Sequence, residues 1–215
     1  MAEHRPIYYC RRASGPPVIN GRPDSSFWAP ADRIGSEFHP IGREGDPSPY
    51  FLEVRALWDQ QALYVSFISD PSPVEVTKRM RDLDLFNECA VEVFLGAGDG
   101  YYEIEVNPLG AVLDLYFPDA SILDWQAYAS FDVRGMRWAV GKTGEFGRWC
   151  AQLAIPWSGV PEVTRGTHSG EPCLFVNFAR SQRLSDGNYD LTTWSTARRR
   201  FCELEEMGCL VLTSK

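Results

Sequence analysis

The sequence predicts an all-β fold, an antiparallel β-sandwich of the jelly-roll or immunoglobulin-like kind with roughly ten strands. Short apolar runs alternate with polar residues at a period of two, and Gly- and Pro-containing turns separate these runs. No long amphipathic helical pattern interrupts them. Over 215 residues, a hydrophobic fraction of 44% with 13% aromatic residues is enough to build a full core.

The predicted strands follow the chain in an order typical of hairpins and meanders. They lie at 18–19, 50–59, 63–67, 91–95, 102–106, 113–117, 131–140, 148–155, 174–178 and 207–212. Residues 1–16 are expected to form a flexible N-terminal arm, because arginines and a Gly-Pro-Pro break precede the first strand. Residues 17–215 are expected to form a single sandwich domain and to act as a monomer.

Charge and hydropathy exclude several classes of partner. The net charge of −8 provides no field that would attract nucleic acid or an anionic membrane. No apolar run approaches the ~20 residues that span a bilayer. The N-terminus shows no secretory signal pattern, so localisation stays unknown, and is cytoplasmic if Met1 is the native start. None of the six cysteines forms a C-x-x-C pair, and reduced, buried thiols are expected.

The central meander, 87–117, has two chemically different faces. If Val91 and Val93 face the core, pairing parity places Glu92 opposite Glu105 and Phe94 opposite Glu103 on the other face. Asp114 and Tyr116, on the third strand, are expected to extend that polar face. The pattern fits either a solvated outer surface or a concave surface that accepts hydrogen bonds from a ligand's hydroxyl groups.

Eight segments, taken together, resemble the family 9 carbohydrate-binding modules in order and approximate spacing. They are VINGRPDSSFW at 18–28, VRALWDQQALYVSFISDP at 54–71, NECAVEVFL at 87–95, YYEIEVNPLG at 101–110, RWCAQLAIPW at 148–157, FVNFAR at 175–180, TTWS at 192–195 and FCELEEMGCLVL at 201–212. The resemblance implies a β-sandwich that binds sugar and is not an enzyme.

The resemblance also implies a binding site. In the family two aromatic rings hold a terminal sugar; Trp194 matches one, and Phe86 lies where the other, usually Trp, is found. Glu92 matches a carboxylate that bonds sugar hydroxyls, whereas Glu105 replaces an arginine of the best-studied members. Arg180 precedes the loop of Trp194 in the chain, and we expect it to balance the two glutamates or to recognise an acidic sugar.

Other functions stay open at this point. A degenerate accessory domain would explain the departures at Phe86 and Glu105, and Trp194 could equally be a loop anchor packed into the core. A haem-binding sandwich would need axial ligands, and a glycosidase would need an acid–base pair among the central glutamates. No cofactor and no metal site is assigned, although loop carboxylates could hold structural calcium. The candidates for haem ligation are Met80, Met136 and Met207, and those for calcium are Asp24, Asp70 and Asp99.

Overall fold

The computed structural model describes residues 5–143 and 146–214, and within these ranges the chain is mostly β. Its strands are β1 Ile7–Arg12, β2 His39–Pro40, β3 Leu52–Trp58, β4 Ala62–Ser69, β5 Cys89–Ala97, β6 Gly100–Val106, β7 Val112–Phe117, β8 Arg137–Lys142, β9 Trp149–Pro156, β10 Arg165–His168, β11 Glu171–Arg183, β12 Tyr189–Thr193 and β13 Gly208–Thr213. A short helix, α1, spans Ser25–Trp28, and 3₁₀ turns occupy Leu85–Asn87, Trp125–Tyr128, Trp157–Gly159 and Leu204–Glu206.

All the strands belong to one curled, mixed sheet with the order β7-β6-β5-β11-β13-β1-β3-β4-β9-β8. The short strands β10 and β12 pair with β11, and β2 pairs with β12. The predicted all-antiparallel arrangement is wrong at one strand, because β1 runs parallel to both β13 and β3. The other named strand pairs of the described ranges are antiparallel. The described residues form thirteen strands where ten were predicted, because β1, β2, β10 and β12 were not predicted and the strand expected at 18–19 does not form. Strands β2, β10 and β12 are too short or too polar for periodicity to detect.

Strand β1 differs from the flexible arm expected over residues 1–16. Its sequence alternates, with Tyr8 and Cys10 buried while Ile7 and Tyr9 face solvent. The hydroxyl of Tyr8 donates to the carbonyl oxygen of Ala56 at 3.0 Å and accepts from the same residue's N–H at 2.9 Å. This buried pair of hydrogen bonds anchors β1 in the sheet. Conversely, no strand forms at 18–19, and the strand predicted from residue 131 begins at Arg137.

The curl of the sheet brings its two halves together around the main core. Phe67 of β4 packs edge-on against Phe178 of β11, with ring centroids 6.1 Å apart, although four strand pairings separate these strands in the sheet. Core-facing residues of β5, β6 and β11 join those of β3, β4 and β9 in one cluster. The opposite face of β5, β6 and β7 packs a second apolar cluster under the chain segments 83–86, 120–129 and 201–204.

All six cysteines are free and buried. Within residues 5–143 and 146–214, none of the helical segments has the length and apolar character needed to cross a membrane.

Gly208→Ala is expected to destabilise the fold. A Cβ atom at Gly208 would lie 2.4 Å from the ring of Trp194, and the backbone oxygen of Pro6 closes the other side at 3.0 Å. Overpacking of this kind costs about 1–3 kcal/mol of unfolding free energy. Urea denaturation measures the change, and Gly15→Ala is the control, since nothing lies within 4 Å of that site. Equal stability of the two variants would mean that Trp194 is not held against Gly208.

Candidate functional site

The candidate site is an open cavity of about 380 Å³ over the face of β5, β6 and β11 that points away from the main core. A volume in this range is typical of small-molecule sites. Six aromatic residues line the cavity, together with two glutamates and a serine of the sheet and two arginines of the 198–202 loop. The aromatic residues are Phe86, Phe94, Tyr101, Phe117, Trp125 and Phe201, and the polar ones are Glu92, Glu103, Ser181, Arg199 and Arg200.

Strand register places the carboxyl groups on this face. Glu92 pairs with Glu105 and Phe94 with Glu103, which confirms the parity predicted for the first two strands of the meander. The prediction for the third strand is wrong, because Leu113 and Leu115, rather than Asp114 and Tyr116, stand opposite Glu105 and Glu103. The turn that follows Val106 aligns this residue with Val112, and that alignment shifts the parity of β7 by one residue.

Glu92, Glu103 and Glu105 form a compact cluster, called here the carboxyl trio, in which each residue offers one carboxylate oxygen within 4.8 Å of those of the other two. Glu92 and Glu105 are fully buried, whereas Glu103 keeps partial exposure at the cavity. The hydroxyl of Ser181 donates to Glu92 Oε1 at 2.5 Å. No N–H or hydroxyl group of the described residues donates a hydrogen bond of good geometry to either carboxylate oxygen of Glu105.

Burial raises the pKa of every member of the carboxyl trio. It raises the pKa of Glu92 to about 8, with the charge of Glu103 adding to the rise and the Ser181 hydroxyl opposing it. Burial raises the pKa of Glu103 to about 7, and burial together with both neighbouring carboxylates raises the pKa of Glu105 well above its usual value. Carboxylates this close cannot all ionise, so the trio titrates as a unit and shares protons near neutral pH.

Aromatic rings surround the carboxyl trio on the cavity side. Phe86 and Trp125 meet edge to face, with centroids 5.8 Å apart and an interplanar angle of 87°, and both stay partly exposed. Phe94 packs against Phe201 at 5.9 Å. The cavity therefore combines exposed aromatic surface with buried oxygen acceptors.

The structure does not bring Trp194 to this cavity. Its side chain is buried in the main core, 5.7 Å from Phe178 between ring centroids, and its backbone N–H donates to the Phe178 carbonyl. Trp194 also lines a separate cavity of about 350 Å³, whose other walls are chiefly residues 36–39 and 44–47. A second stacking platform at Trp194, expected from the resemblance, is not formed in this structure, because the ring serves as a loop anchor.

Arg180 also lies away from the carboxyl trio. Arg180, in β11, pairs with Val91 of β5. Because side chains alternate along a strand, Arg180 therefore points to the sheet face opposite that of Glu92. There its guanidinium is fully buried and donates to Asp190 at 3.1 Å and to the carbonyl oxygen of Phe51 at 3.2 Å. The expectation that Arg180 balances the glutamates is therefore wrong, since its charge is matched by Asp190.

Sequence reasoning omitted several cavity residues from the site. Glu103 and Phe94 were placed on the correct face, and the strand register alone was signal enough to include them. Trp125 and Phe201 lie in irregular segments, where no periodicity indicates which way a side chain points. Arg199, at the cavity rim, bonds to Glu203 at 3.4 Å and is largely exposed.

The remaining metal and haem candidates lie elsewhere. The hydroxyl and N–H of Ser26 donate to Asp24, Asp70 accepts from Arg148, and Asp99 is an exposed turn residue. None of these three belongs to a cluster of three acidic groups in the described ranges. Of the methionines, Met207 and Met136 are buried in apolar clusters and Met80 is exposed.

A second acidic cluster does occur, and an arginine already occupies it. Asp82, Asp114 and Asp132 offer oxygens within 4.8 Å of one another. Arg81 bonds to Asp114 at 2.5 Å and also to Asp132. This cluster, called here the aspartate trio, is thereby an ion-pair network.

No family model matches the sequence. A comparison with curated proteins also finds no match.

Solved structures do match, over almost the whole chain. A provisionally assigned carbohydrate-binding protein of Bacteroides uniformis is 16% identical, with a TM-score of 0.76 over 98% of this chain and 100% of the other. A family 9 carbohydrate-binding module of Caldicellulosiruptor kristjanssonii in complex with cellotriose is 13% identical, with a TM-score of 0.66 over 97% and 94% of the two chains. A module from the same organism in complex with glucose is 14% identical, with a TM-score of 0.65 over 96% of each chain. The resemblance seen in the sequence is thus confirmed for the fold.

The raised pKa values predict that stability falls as pH rises. The folded chain keeps protons on the carboxyl trio that unfolded glutamates lose above their ordinary pKa of 4.5. The stabilisation from these retained protons is complete below pH 4.5 and is lost as the pH rises through about 7 to 8. Within this window the free energy of unfolding falls by about 1.4 kcal/mol per pH unit for each retained proton. Glu105→Gln should reduce this slope, and urea melts across this window measure it.

Two further points define that experiment. Asp114, whose pKa burial raises to about 6, contributes a slope of the same sign that persists in the variant. The exposed Glu171, changed to Gln, controls for the loss of one formal charge. An unchanged slope in Glu105→Gln would show that the carboxyl trio does not hold protons in the folded state.

Proposed function

We propose that this chain is a non-catalytic carbohydrate-binding domain, a monomeric β-sandwich that holds a saccharide in the cavity over β5, β6 and β11. The observation that carries the proposal is the meeting, in one cavity, of partly exposed aromatic rings and a carboxyl trio. The curled sheet, with β4 packed against β11, fits the sandwich architecture.

This combination suits a pyranose ring. Pyranoses present apolar C–H faces and polar rims, so Phe86 and Trp125 offer surfaces for the faces and Glu103 and Ser181 offer bonding groups for the rim. A carboxyl group that shares a proton both accepts and donates hydrogen bonds, as hydroxyl groups do. The carboxyl trio can therefore match a hydroxyl in either orientation.

The residues first expected at the site take different parts in this proposal. Phe86 and Glu92 line the cavity and contact the sugar directly. Glu105 lies behind them and shares protons with Glu92 and Glu103. Arg180 and Trp194 hold β11 and the loop after β12 in place from the core side.

The charge of the cavity favours a neutral sugar over an acidic one. The trio forms an acidic floor, and a uronate carboxylate placed there would meet like charge. Arg199 and Arg200 stand at the rim and offer the only cationic groups that line the cavity among the described residues. Glucose-based ligands lead the list of candidates, since two of the similar modules were solved with cellotriose and glucose.

Trp125→Ala and Phe86→Ala are expected to weaken saccharide binding at least about fivefold each, or roughly 1 kcal/mol. Calorimetric titration of glucose, cellobiose, xylobiose, galacturonate and glucuronate measures the affinities, with the neutral sugars binding more tightly. Tyr9→Ala, which removes an exposed ring on β1, is the matched control and keeps full affinity.

The same titration separates the alternatives. A panel without saturable binding in the folded wild-type chain would contradict the proposal and favour an accessory domain with a degenerate pocket. Turnover of a chromogenic glycoside that is lost in Glu103→Gln would contradict the non-catalytic assignment. A Soret band after haem addition would favour the haem-binding alternative.

A further inference from the structure

The carboxyl trio, which can bond to sugar hydroxyls, also has a geometry that suits a different ligand. Three carboxylates converge beneath the cavity, and each offers an oxygen within 4.8 Å of the other two. We propose that Glu92, Glu103 and Glu105 bind a hard divalent cation of the calcium class. This site is distinct from the loop carboxylates considered from the sequence, and it does not depend on saccharide binding.

The spacing suits one ion held between the three side chains. Oxygen ligands lie about 2.3–2.6 Å from calcium, so two ligands on opposite sides of one ion stand about 4.6–5.2 Å apart. The oxygens of the trio fall within that limit. Calcium also tolerates irregular geometry and completes its shell with water, which the open cavity beside Glu103 can supply.

Glu105 gives an independent reason to expect a ligand. Its side chain is fully buried, it points into the trio, and neither of its carboxylate oxygens has a hydrogen-bond partner in the protein. Buried acceptors are normally satisfied, so a buried carboxylate that other carboxylates face requires either a shared proton or a bound cation between them. A cation between the three groups supplies that partner.

The aspartate trio shows how this chain treats a comparable cluster. There Arg81 bonds to both Asp114 and Asp132, so a protein cation occupies the centre. Within the described ranges, no arginine or lysine forms an ion pair with Glu92, Glu103 or Glu105. Arg199 and Arg200 line the cavity, and Arg199 has Glu203 as its partner. The carboxyl trio thus keeps its acidic groups without an ion pair, with an entry path through the partly exposed Glu103.

Terbium luminescence tests the site directly, since Tb³⁺ replaces Ca²⁺ and is sensitised by nearby indole and phenol rings. Trp125 and Tyr101 line the adjoining cavity. The whole, metal-stripped chain at pH 7.5 should show saturable luminescence that Ca²⁺ reverses. Calorimetric Ca²⁺ titration in two buffers should detect proton release, because binding requires deprotonated carboxylates.

Glu105→Gln and Glu103→Gln should each weaken Tb³⁺ and Ca²⁺ binding at least about tenfold, because a charged ligand is lost. Asp132→Asn, in the aspartate trio, is the matched control and should leave the affinity unchanged. Glutamine keeps the shape of each glutamate side chain, and circular dichroism checks that each variant is folded.

Three results would overturn this proposal. They are the absence of saturable luminescence at millimolar Tb³⁺, equal affinity in the wild type and both glutamine variants, and loss of binding in Asp132→Asn alone. The titrations contain no sugar, so their failure is distinguishable from a failure of saccharide binding.

Discussion

The pairing register of β5 with β6 is the constraint on which the rest of the site depends. It sends Val91, Val93 and their neighbours into the main core, and by the same alternation it sends Glu92 to the other face beside Glu105. A slip of one residue would put carboxylates into the core and valines into the cavity. The large apolar core therefore holds three mutually repelling acidic groups close together. Without the core, these groups would move apart.

Two clusters of three acidic groups in this chain reach electrostatic balance in different ways. In the aspartate trio the charge of Arg81 compensates the carboxylates, and the result is a partly solvated network. In the carboxyl trio burial raises the pKa values, so the cluster takes up protons or admits a cation. The protein itself therefore balances the charge of the aspartate trio, whereas the carboxyl trio can still accept a proton or a cation from solution.

Alternation in the sequence predicted the strand pairs of the meander and the opposition of Glu92 to Glu105, because a two-residue period records which side chains share a face. It could not predict the face of Asp114, since the register of β7 is set by a turn. The same period carries Arg180 to the core face with Phe178, so alternation was signal enough to separate Arg180 from the glutamates. Alternation could not place Trp194, which packs on Gly208 from a distant strand. Such contacts depend on tertiary pairing that local periodicity does not contain.

Strand β1 lies between β13 and β3, so residue 7 pairs with residue 209 near the opposite end of the chain. During synthesis β1 leaves the ribosome long before β13, so the edge of β1 that pairs with β13 stays uncovered until β13 emerges. Contacts of such long sequence separation slow folding and expose nascent edges. The pairing of β1 with β13 thus makes the closing of the sheet a late step in folding.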